Sequence, residues 1–321
     1  MENNFTSSSV VLVTGGAGFI GSHTVDLLLQ AGLAVRVLDN LSTGRLGNIS
    51  KSANVEFLHG DICDFEAVDR AMAGVTHVLH LAAQVSVAFS IENPLVSASN
   101  NITGFLNVLE SAKRHGVRRF VYASSAAVYG VPVFLPLDEE SPLKPLSPYG
   151  LEKLINDNYA ALYGDLHGLS ILGLRYFNVY GPRQDPRSSY SGVITIFNDR
   201  LHSRQPITIF GDGTQTRDFI YVADVAKSNL AALSSDFSGI CNVATGHSVT
   251  LLQLVEQMSD VAGYRPEICF SPDRNGDIRN SAACNSRLKS HLGVNEFVPL
   301  RDGLAALWEA DSQLDCVKNN G

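Results

Sequence analysis

The sequence has little of what marks a nucleic-acid-binding, membrane-spanning or secreted protein. Lys and Arg number 24 against 32 Asp and Glu, a net charge of −8, and no basic run occurs. Nucleic acid and anionic membrane surfaces are therefore poor partners for this chain. An apolar window without a charged residue, 120–137, has 18 residues and two prolines, whereas a membrane-spanning helix needs about 20 apolar residues. Residues 1–9 contain no Lys or Arg and so lack the basic start of a signal peptide, which predicts a cytoplasmic protein.

Cysteine is scarce and shows no pairing pattern. The five cysteines are odd in number and far apart, and they form no Cys-x-x-Cys or Cys/His spacing. This distribution predicts reduced thiols and neither a structural zinc nor another metal site.

The first half of the chain alternates short apolar runs with helical patterns. Predicted strands cover residues 10–14, 34–38, 55–58, 76–81, 119–123 and 170–174. Predicted helices fill the gaps at residues 19–31, 64–73, 94–115 and 148–167. Strands that alternate with helices form parallel sheets through right-handed crossovers, and continuous apolar strands fit a sheet covered on both faces. The pattern predicts a Rossmann-like, doubly wound α/β fold.

A glycine-rich turn joins the first predicted strand to the first predicted helix. Gly15, Gly18 and Gly21 follow a G-x-x-G-x-x-G spacing, which lets main-chain N–H groups approach a pyrophosphate at the positive end of a helix. The next strand ends in an acid, Asp39, 18 residues after Gly21. Together these features predict a dinucleotide site. Asp39 would bind both ribose hydroxyls and repel a 2′-phosphate, which favours NAD. Because Arg45 is nearby, NADP is the alternative cofactor.

Further cofactor contacts are predicted near the ends of the neighbouring strands. They are Phe19, Ile20, Asn40, Ser42, Thr43, Gly44, Asp61, Ile62, Leu81, Ala82, Ala83 and Tyr176. For Asp61 and Ile62 the alternative is the start of the helix near Asp64. For residues 81–83 the alternative is close packing alone.

The rhythm of strands and helices loosens after Leu174, where Gly, Pro and Arg become frequent. This change predicts an NAD-binding domain over residues 1–174 and a smaller C-terminal α/β substrate domain over residues 175–321. A segment near 216–246 is expected to return to the first domain. Loops of the second domain are expected to carry substrate contacts.

Three residues predict acid–base chemistry beside the cofactor. Tyr149 and Lys153 are four apart and share one face of a helix, and Ser125 ends a predicted sheet strand, where open α/β sheets place their active sites. A free tyrosine has a pKa of about 10, so a nearby ammonium and a positively charged nicotinamide are needed for it to act as a base near neutrality. We predict Tyr149 as the base, Lys153 as its electrostatic partner and Ser125 as a hydrogen-bonding aid. The alternative is a surface helical pair and a polar strand end.

These motifs together resemble the extended short-chain dehydrogenase/reductase family over nearly the whole chain. The segments that carry the resemblance are Thr14–Gly21, the strand ending at Asp39, His80–Ala83, Ser124–Gly130, the Tyr-x-x-x-Lys pair and Arg175–Pro182. Within that family the sequence is most similar to the UDP-hexose and UDP-N-acetylhexosamine 4-epimerases. The resemblance implies tightly bound NAD, a UDP-sugar substrate and a homodimer built on a four-helix bundle.

The residues that follow Ser125 favour epimerisation within this family. The resemblance implies that dehydratases and decarboxylases carry an acid soon after the active-site Ser or Thr, whereas here Ala126, Ala127 and Val128 follow. The expected reaction interconverts UDP-GlcNAc and UDP-GalNAc through a transient 4-keto sugar, with UDP-Glc and UDP-Gal as further candidate substrates. The alternatives are a nucleotide-sugar reductase or dehydratase, and a non-catalytic NAD-binding regulatory module.

The resemblance also implies contacts to the nucleotide part of the substrate. It assigns Arg217 and Arg274 to the diphosphate, Asn178 to the sugar–phosphate link and Asp277 to the uridine ribose. Guanidinium groups suit a diphosphate because they donate two parallel hydrogen bonds. The alternatives are surface salt bridges for the charged residues and a turn role for Asn178.

Substrate choice is expected to depend on Ser281. The resemblance implies that a bulky residue at this position restricts the pocket to unacetylated hexoses, whereas a small one leaves room for an N-acetyl group. The alternative for Ser281 is a neutral surface position. Ser86 and Ala126, together with Ser125 and Tyr149, are expected to border the sugar.

Overall fold

A seven-stranded parallel sheet forms the centre of the molecule. The computed structural model describes residues 5–6, 8–185, 192–273 and 278–319. From edge to edge the strands are β3 (Val55–His59), β2 (Ala34–Asp39), β1 (Val10–Thr14), β4 (His77–His80), β5 (Arg119–Ser125), β6 (Ser170–Tyr176) and β10 (Gly239–Val243), and each pairs in parallel with its neighbours. Because the chain runs outward from β1 in one direction and then from β4 in the other, the sheet is doubly wound. The predicted Rossmann-like fold is confirmed.

Helices connect the strands, and some of them cover both faces of the large sheet. They are α1 (Phe19–Gln30), α2 (Phe65–Met72), α3 (Val87–Glu92), α4 (Pro94–Ala98), α5 (Gly104–Arg114), α6 (Pro148–His167), α7 (Val193–His202), α8 (Val222–Ser234), α9 (Leu251–Ala262), α10 (Ser286–Leu292) and α11 (Leu300–Asn319). The helix predicted over residues 94–115 is divided, because a π-helical turn, Ser99–Thr103, joins α4 to α5. Among the residues described, no helix has both the length and the apolar composition needed to cross a membrane.

The apolar strands are buried on both faces, as their composition predicts. In β1, Val11 and Val13 pack in the same core layer as Val25 of α1 and Val225 of α8, whereas Leu12 packs in the layer on the other face. Full burial of such an aliphatic side chain stabilises the fold by about 1.5–3 kcal/mol. The alternation therefore anchors the strand that leads into the glycine-rich turn.

The C-terminal part of the chain builds two small sheets and also contributes to the large one. A three-stranded sheet contains β7 (Asn178–Tyr180), β9 (Thr216–Tyr221) and β11 (Ser248–Thr250), and β8 (Ile207–Phe210) pairs with β12 (Ile268–Ser271). Helices α7, α9 and α11 pack around these sheets through a separate core that includes Phe197, Leu254 and Leu304. Between these elements, α8 packs on α1 and β10 extends the large sheet beside β6. The domain boundary at residues 174 and 175 stays a prediction.

Candidate active site

A cavity of about 360 Å³ opens at the carboxyl ends of the central strands. This is the size of small-molecule and cofactor sites, and open α/β sheets bind ligands where the strand order reverses. Most residues predicted for the cofactor and for catalysis line it: Gly15, Gly18, Phe19, Ile20, Gly21, Asp39, Asn40, Ser42, Thr43, Ile62, Leu81, Ala82, Ala83, Ser125, Tyr149, Lys153 and Tyr176. The structure thus brings together residues from both halves of the predicted site.

Other described residues line the same cavity and were not predicted. They are Leu38, Gly60, Val85, Asn100, Ala123, Ser124, Phe177, Val179 and Gln184. Several of them directly flank predicted residues, so a wider window around each strand end would have included them. Asn100 lies in the π-helical turn, which no sequence pattern indicated.

The glycine-rich turn leaves a bare main-chain surface that fits a dinucleotide. Gly15 has a φ of +71°, and a Cβ atom there would lie 2.7 Å from the main-chain nitrogen of Ala82. A Cβ atom on Gly21 would overlap the carbonyl oxygen of Gly15 and lie 2.7 Å from the Cα atom of Gly16. Gly18 caps α1 without a side chain, so the first N–H groups of the helix face the cavity unshielded. This cradle suits the pyrophosphate of NAD.

Asp39 lies at the end of β2 with its carboxylate buried against the turn. Oδ2 accepts a hydrogen bond from the N–H of Ala17 at 2.9 Å, and Oδ1 accepts one from the N–H of Leu41 at 2.8 Å. Each oxygen keeps a second lone pair for a ribose hydroxyl. The side chain therefore holds the glycine-rich turn in place as well as presenting an acceptor to the cavity.

Two predicted cofactor residues act from behind the cavity wall. Gly44 packs close to Asp39, where an added Cβ atom would lie 3.0 Å from Oδ1. Asp61 accepts a hydrogen bond from Nδ2 of Asn40 at 2.9 Å and one from the N–H of Cys63 at 2.8 Å. Neither lines the cavity, so a direct cofactor contact stays a prediction for both. The helix start that was the alternative is at Asp64, whose carboxylate caps α2.

The three predicted catalytic residues meet beside the cofactor cradle. Ser147 caps α6 by accepting the N–H of Gly150 at 3.1 Å, and Tyr149 lies in the first turn of this helix. Ser125 and Tyr149 line the same cavity, and the Ser125 hydroxyl lies near enough to the phenol to lower its pKa. Lys153 Nζ lies 5.9 Å from the centre of the Tyr149 ring and donates to the carbonyl oxygen of Ala123 at 2.9 Å. The phenol of Tyr149 and the ammonium of the buried Lys153 are thus held close together at the cavity.

Burial opposes both charged states of this pair. It raises the pKa of Tyr149, although the nearby Ser125 hydroxyl acts in the opposite direction. Burial also lowers the pKa of Lys153 to about 8, against the attraction of the carboxylates of Asp157 and Glu152. The protein groups by themselves therefore hold the phenol neutral near pH 7, and the lowered pKa of Tyr149 expected from the sequence requires the positive charge of bound NAD.

Arg217 and Asn178, predicted for the diphosphate and the sugar–phosphate link, do not line this cavity. Arg217, in β9, donates from Nη1 to the carbonyl oxygens of Thr216 at 2.8 Å and of Arg279 at 3.2 Å. Asn178 donates from Nδ2 to the carbonyl oxygen of Asp218 at 2.9 Å. Arg274 and Asp277 lie outside the described residues. Their substrate contacts stay predictions.

The residues predicted to border the sugar have separate positions. The N–H of Ser281 donates to the carbonyl oxygen of Thr216 at 3.1 Å, and its side chain is half-buried. Ser86 is buried and caps α3 by accepting the N–H of Phe89 at 2.8 Å. Ala126 starts the short helical turn that follows Ser125. None of the three lines the cavity.

Comparison with known proteins shows the family to which this chain belongs. Residues 11–244 match the model of the NAD dependent epimerase/dehydratase family. A putative UDP-glucose 4-epimerase from Methanocaldococcus jannaschii is 42% identical over 313 residues, which are 97% of this chain and 99% of that protein.

Two solved structures share both the fold and much of the sequence. One is UDP-N-acetylglucosamine 4-epimerase from Methanobrevibacter ruminantium M1 in complex with UDP-N-acetylmuramic acid, with a TM-score of 0.90, 36% identity and coverage of 95% of this chain and 99% of the other. The second is UDP-glucose 4-epimerase from Thermus thermophilus in complex with NAD, with a TM-score of 0.87, 41% identity and coverage of 94% and 98%.

Proposed function

Because this chain belongs to the NAD dependent epimerase/dehydratase family and is a UDP-sugar 4-epimerase that uses NAD, we propose that its substrates are UDP-GlcNAc and UDP-GalNAc. The observation that carries this choice is the small side chain of Ser281. The carbonyl oxygen of Thr216 accepts hydrogen bonds from both Ser281 and Arg217, so the residue expected beside the N-acetyl group adjoins the one expected on the diphosphate. The similarity to the Methanobrevibacter enzyme supports the same choice.

In the proposed mechanism, Tyr149 moves the proton of the sugar 4-hydroxyl. Bound NAD supplies a two-electron acceptor and donor next to C4 of the sugar. Tyr149 removes the proton from O4 and later returns it, and Ser125, which lines the cavity with Tyr149, hydrogen-bonds with the same oxygen. The ammonium of Lys153, 5.9 Å from the centre of the Tyr149 ring, stabilises the phenolate. Because Ala126 and Ala127 follow Ser125, no carboxylate at these positions can abstract the C5 proton and divert the 4-keto sugar to elimination.

We also propose that the chain forms a homodimer through α4 and α6. On α6, Leu151, Tyr159, Leu162 and Leu166 are exposed by 38–71% and share one face of the helix. On the neighbouring α4, Leu95 is 86% exposed. A continuous apolar stripe of this kind marks an interaction surface. Two such helices from each copy would form the predicted four-helix bundle, with Tyr149 and Lys153 on the opposite, buried face of α6.

The proposed activity is tested by incubating the purified protein with UDP-GlcNAc and no added cofactor. We expect NMR to show conversion to UDP-GalNAc until the two reach equilibrium, with no net oxidation. The second candidate, UDP-Glc and UDP-Gal, is favoured by the names of the Methanocaldococcus and Thermus relatives. Turnover of UDP-Glc without turnover of UDP-GlcNAc would establish that candidate and refute ours. A dehydrated or reduced product would indicate the alternative reaction classes.

Replacing Ser281 with tyrosine should change substrate choice. An acetamido group is larger than a hydroxyl, and overfilling a packed site costs about 1–3 kcal/mol. We expect Ser281→Tyr to lower kcat/KM for UDP-GlcNAc relative to that for UDP-Glc by about 5- to 150-fold. The ratio cancels general damage to the fold. Ser281→Ala, which stays small, is the control and should keep the wild-type ratio; an unchanged ratio in Ser281→Tyr would show that Ser281 does not line the N-acetyl pocket.

A further inference from the structure

A carboxylate lies buried in the helix turn between Tyr149 and Lys153. Glu152 is 3% exposed, and burying an ionised carboxylate is costly unless other groups compensate for the lost water. Its Oε2 accepts hydrogen bonds from Ser97 Oγ at 2.8 Å and from Asn101 Nδ2 at 2.6 Å. Both donors are neutral, so these hydrogen bonds solvate the negative charge without cancelling it.

The same hydrogen bonds connect α6 to the wall of the cofactor cavity. Asn101 Oδ1 accepts the N–H of Gln84 at 2.8 Å, and Asn101 Nδ2 donates to the carbonyl oxygen of Gln84 at 2.8 Å. Gln84 lies between Ala83 and Val85, which both line the cavity. One amide proton of Asn101 is thus used on Gln84 and the other on Glu152. Glu152 thereby ties the catalytic helix to residues 81–86, which we call the Gln84 loop.

The charge of Glu152 also acts on the two proposed catalytic groups. It raises the pKa of Tyr149 and that of Lys153, because a nearby negative charge disfavours a phenolate and favours an ammonium. Asp157, one turn further along α6, also raises the pKa of Lys153, but it is paired with Arg175 at 3.0 Å and hydrogen-bonded by Tyr122 at 2.9 Å. Of the two carboxylates, Glu152 is the one without a cationic partner among these hydrogen bonds.

We propose that Glu152 is a positioning residue: it anchors the Gln84 loop through Asn101, and its charge sets the pH range in which Tyr149 and Lys153 work. This inference rests on the proposed function, because it takes Tyr149 as the base. Other ionisable groups on the elements packed against α6 are Glu92 on α3, Glu110, Lys113 and Arg114 on α5, Arg119 and Tyr122 on β5, and Arg175 and Tyr176 on β6. On α6 itself they are Asp157, Tyr159, Tyr163, Asp165 and His167. All of them are unchanged in the variants of Glu152 and Asn101 that test the proposal.

The test of the charge is the pH dependence of kcat/KM in Glu152→Gln. The amide keeps an oxygen that can accept from Asn101 but loses the negative charge, so the pKa values of Tyr149 and Lys153 both fall. We expect the acid limb and the alkaline limb of the pH profile of kcat/KM each to move to lower pH by about one unit. A role confined to structure would lower the rate and leave both limbs in place, which would overturn the proposal. Glu152→Ser also removes the charge, although its hydroxyl is too short to reach Asn101, and it should move both limbs in the same direction if Glu152→Gln does not fold.

The test of the anchor is Asn101→Ala, which frees the main chain of Gln84 but keeps the charge of Glu152. We expect NAD to dissociate at least tenfold faster, measured by reducing the released cofactor and recording its fluorescence. Both limbs of the pH profile should keep their wild-type pH. Unchanged cofactor release would refute the anchor. Glu92→Gln, the control, removes an exposed carboxylate from α3 and should change neither measurement.

These outcomes are distinguishable from a failure of the proposed function. If the wild-type protein epimerises none of the four UDP-sugars, the proposed function fails before any variant is compared. If it is active but Tyr149→Phe keeps both the activity and the acid limb, Tyr149 is not the base and the inference falls with it. If the wild type is active and Tyr149→Phe loses the acid limb, Tyr149 is the base. The shift in Glu152→Gln then decides whether the inference holds.

Discussion

At the scale of single residues, the catalytic groups show that burial and function act against each other. Burial raises the pKa of Tyr149 and lowers that of Lys153 to about 8, so an empty pocket favours a neutral phenol. Since the base form requires a phenolate, the missing stabilisation must come from the positive ring of the cofactor. This places proton removal under the control of the cofactor: a pocket without oxidised NAD holds a poor base.

Asp39 gives a prediction at this scale because its carboxylate has two tasks. It accepts main-chain N–H groups of Ala17 and Leu41 and is positioned to accept from the ribose of the cofactor. Asp39→Asn keeps one acceptor oxygen and loses the charge that repels a 2′-phosphate. We therefore expect weaker binding of NAD and a Kd ratio of NADP to NAD that falls at least tenfold, measured by titration of cofactor-free protein.

The control for this substitution is Asp64→Asn, which removes a carboxylate that caps α2. Because Asn caps helices about as well as Asp, it should leave both the stability of the protein and the cofactor ratio unchanged. If Asp39→Asn also leaves the ratio unchanged, Asp39 does not select the cofactor.

That the residues of the cofactor cradle and the proposed catalytic trio meet at one cavity could be predicted from the sequence because they lie in short, regular patterns; their cofactor and catalytic roles stay predictions. Gly15, Gly18 and Gly21 lie within seven residues, in the turn and the first turn of α1, and Tyr149 and Lys153 share one helix face. The anchor formed by Glu152, Asn101 and Gln84 had no such signal. Asn101 is 51 positions before Glu152 and 17 after Gln84, so only the folded chain shows that the three meet.

At the scale of elements, the predicted strands match the observed ones because most are short apolar runs buried on both faces; the edge strand β3 is partly exposed. The helix over residues 94–115 matches less well. The π-helical turn Ser99–Thr103 interrupts it, and this turn carries Asn100, which lines the cavity, and Asn101, which holds the Gln84 loop. A π-turn at a functional site is a recurring feature of proteins, but the polar sequence Ser-Asn-Asn does not by itself distinguish it from an ordinary helical turn.

The contact between α1 and the glycine-rich turn gives a prediction at the element scale. Helix α1 approaches the turn so closely that a Cβ atom on Gly21 would overlap the carbonyl oxygen of Gly15. In Gly21→Ala the helix must shift away from the turn. We expect a loss of about 1–3 kcal/mol in the free energy of unfolding and protein that is purified without NAD, as measured by the ratio of its ultraviolet absorbance at the nucleotide and protein maxima.

Gly47→Ala is the matched control, because a Cβ atom on Gly47 would meet nothing within 4 Å. It should bind NAD as the wild type does. If Gly21→Ala also retains NAD and full stability, the turn has more freedom than its contacts indicate.

At the scale of the whole molecule, the return of the chain to the large sheet closes the site. Once β6 ends, the chain leaves for the smaller sheets and comes back as α8 and β10, which pack on α1 and beside β6. Tyr176, at the end of β6, lines the cavity and donates to Asn229 of α8 at 2.6 Å. The looser pattern of the second half predicted such a return only in outline, because it shows where strands occur and not which sheet they join.

The proposed homodimer supplies the prediction that concerns the whole molecule. Leu162 and Leu166 of α6 are 52% and 71% exposed, on the face turned away from the catalytic pair. If a second copy covers them, burial of each leucine contributes about 1.5–3 kcal/mol, and each substitution acts twice in a symmetric pair. In Leu162→Glu/Leu166→Glu we expect the dimer Kd to rise by about 10³-fold or more, so that sedimentation velocity detects single chains at micromolar concentration.

Phe270→Glu, a substitution of a 58% exposed side chain on β12, is the control and should stay dimeric. A wild type that sediments as a single chain, or a double variant that sediments as the wild type does, would exclude α6 as the interface.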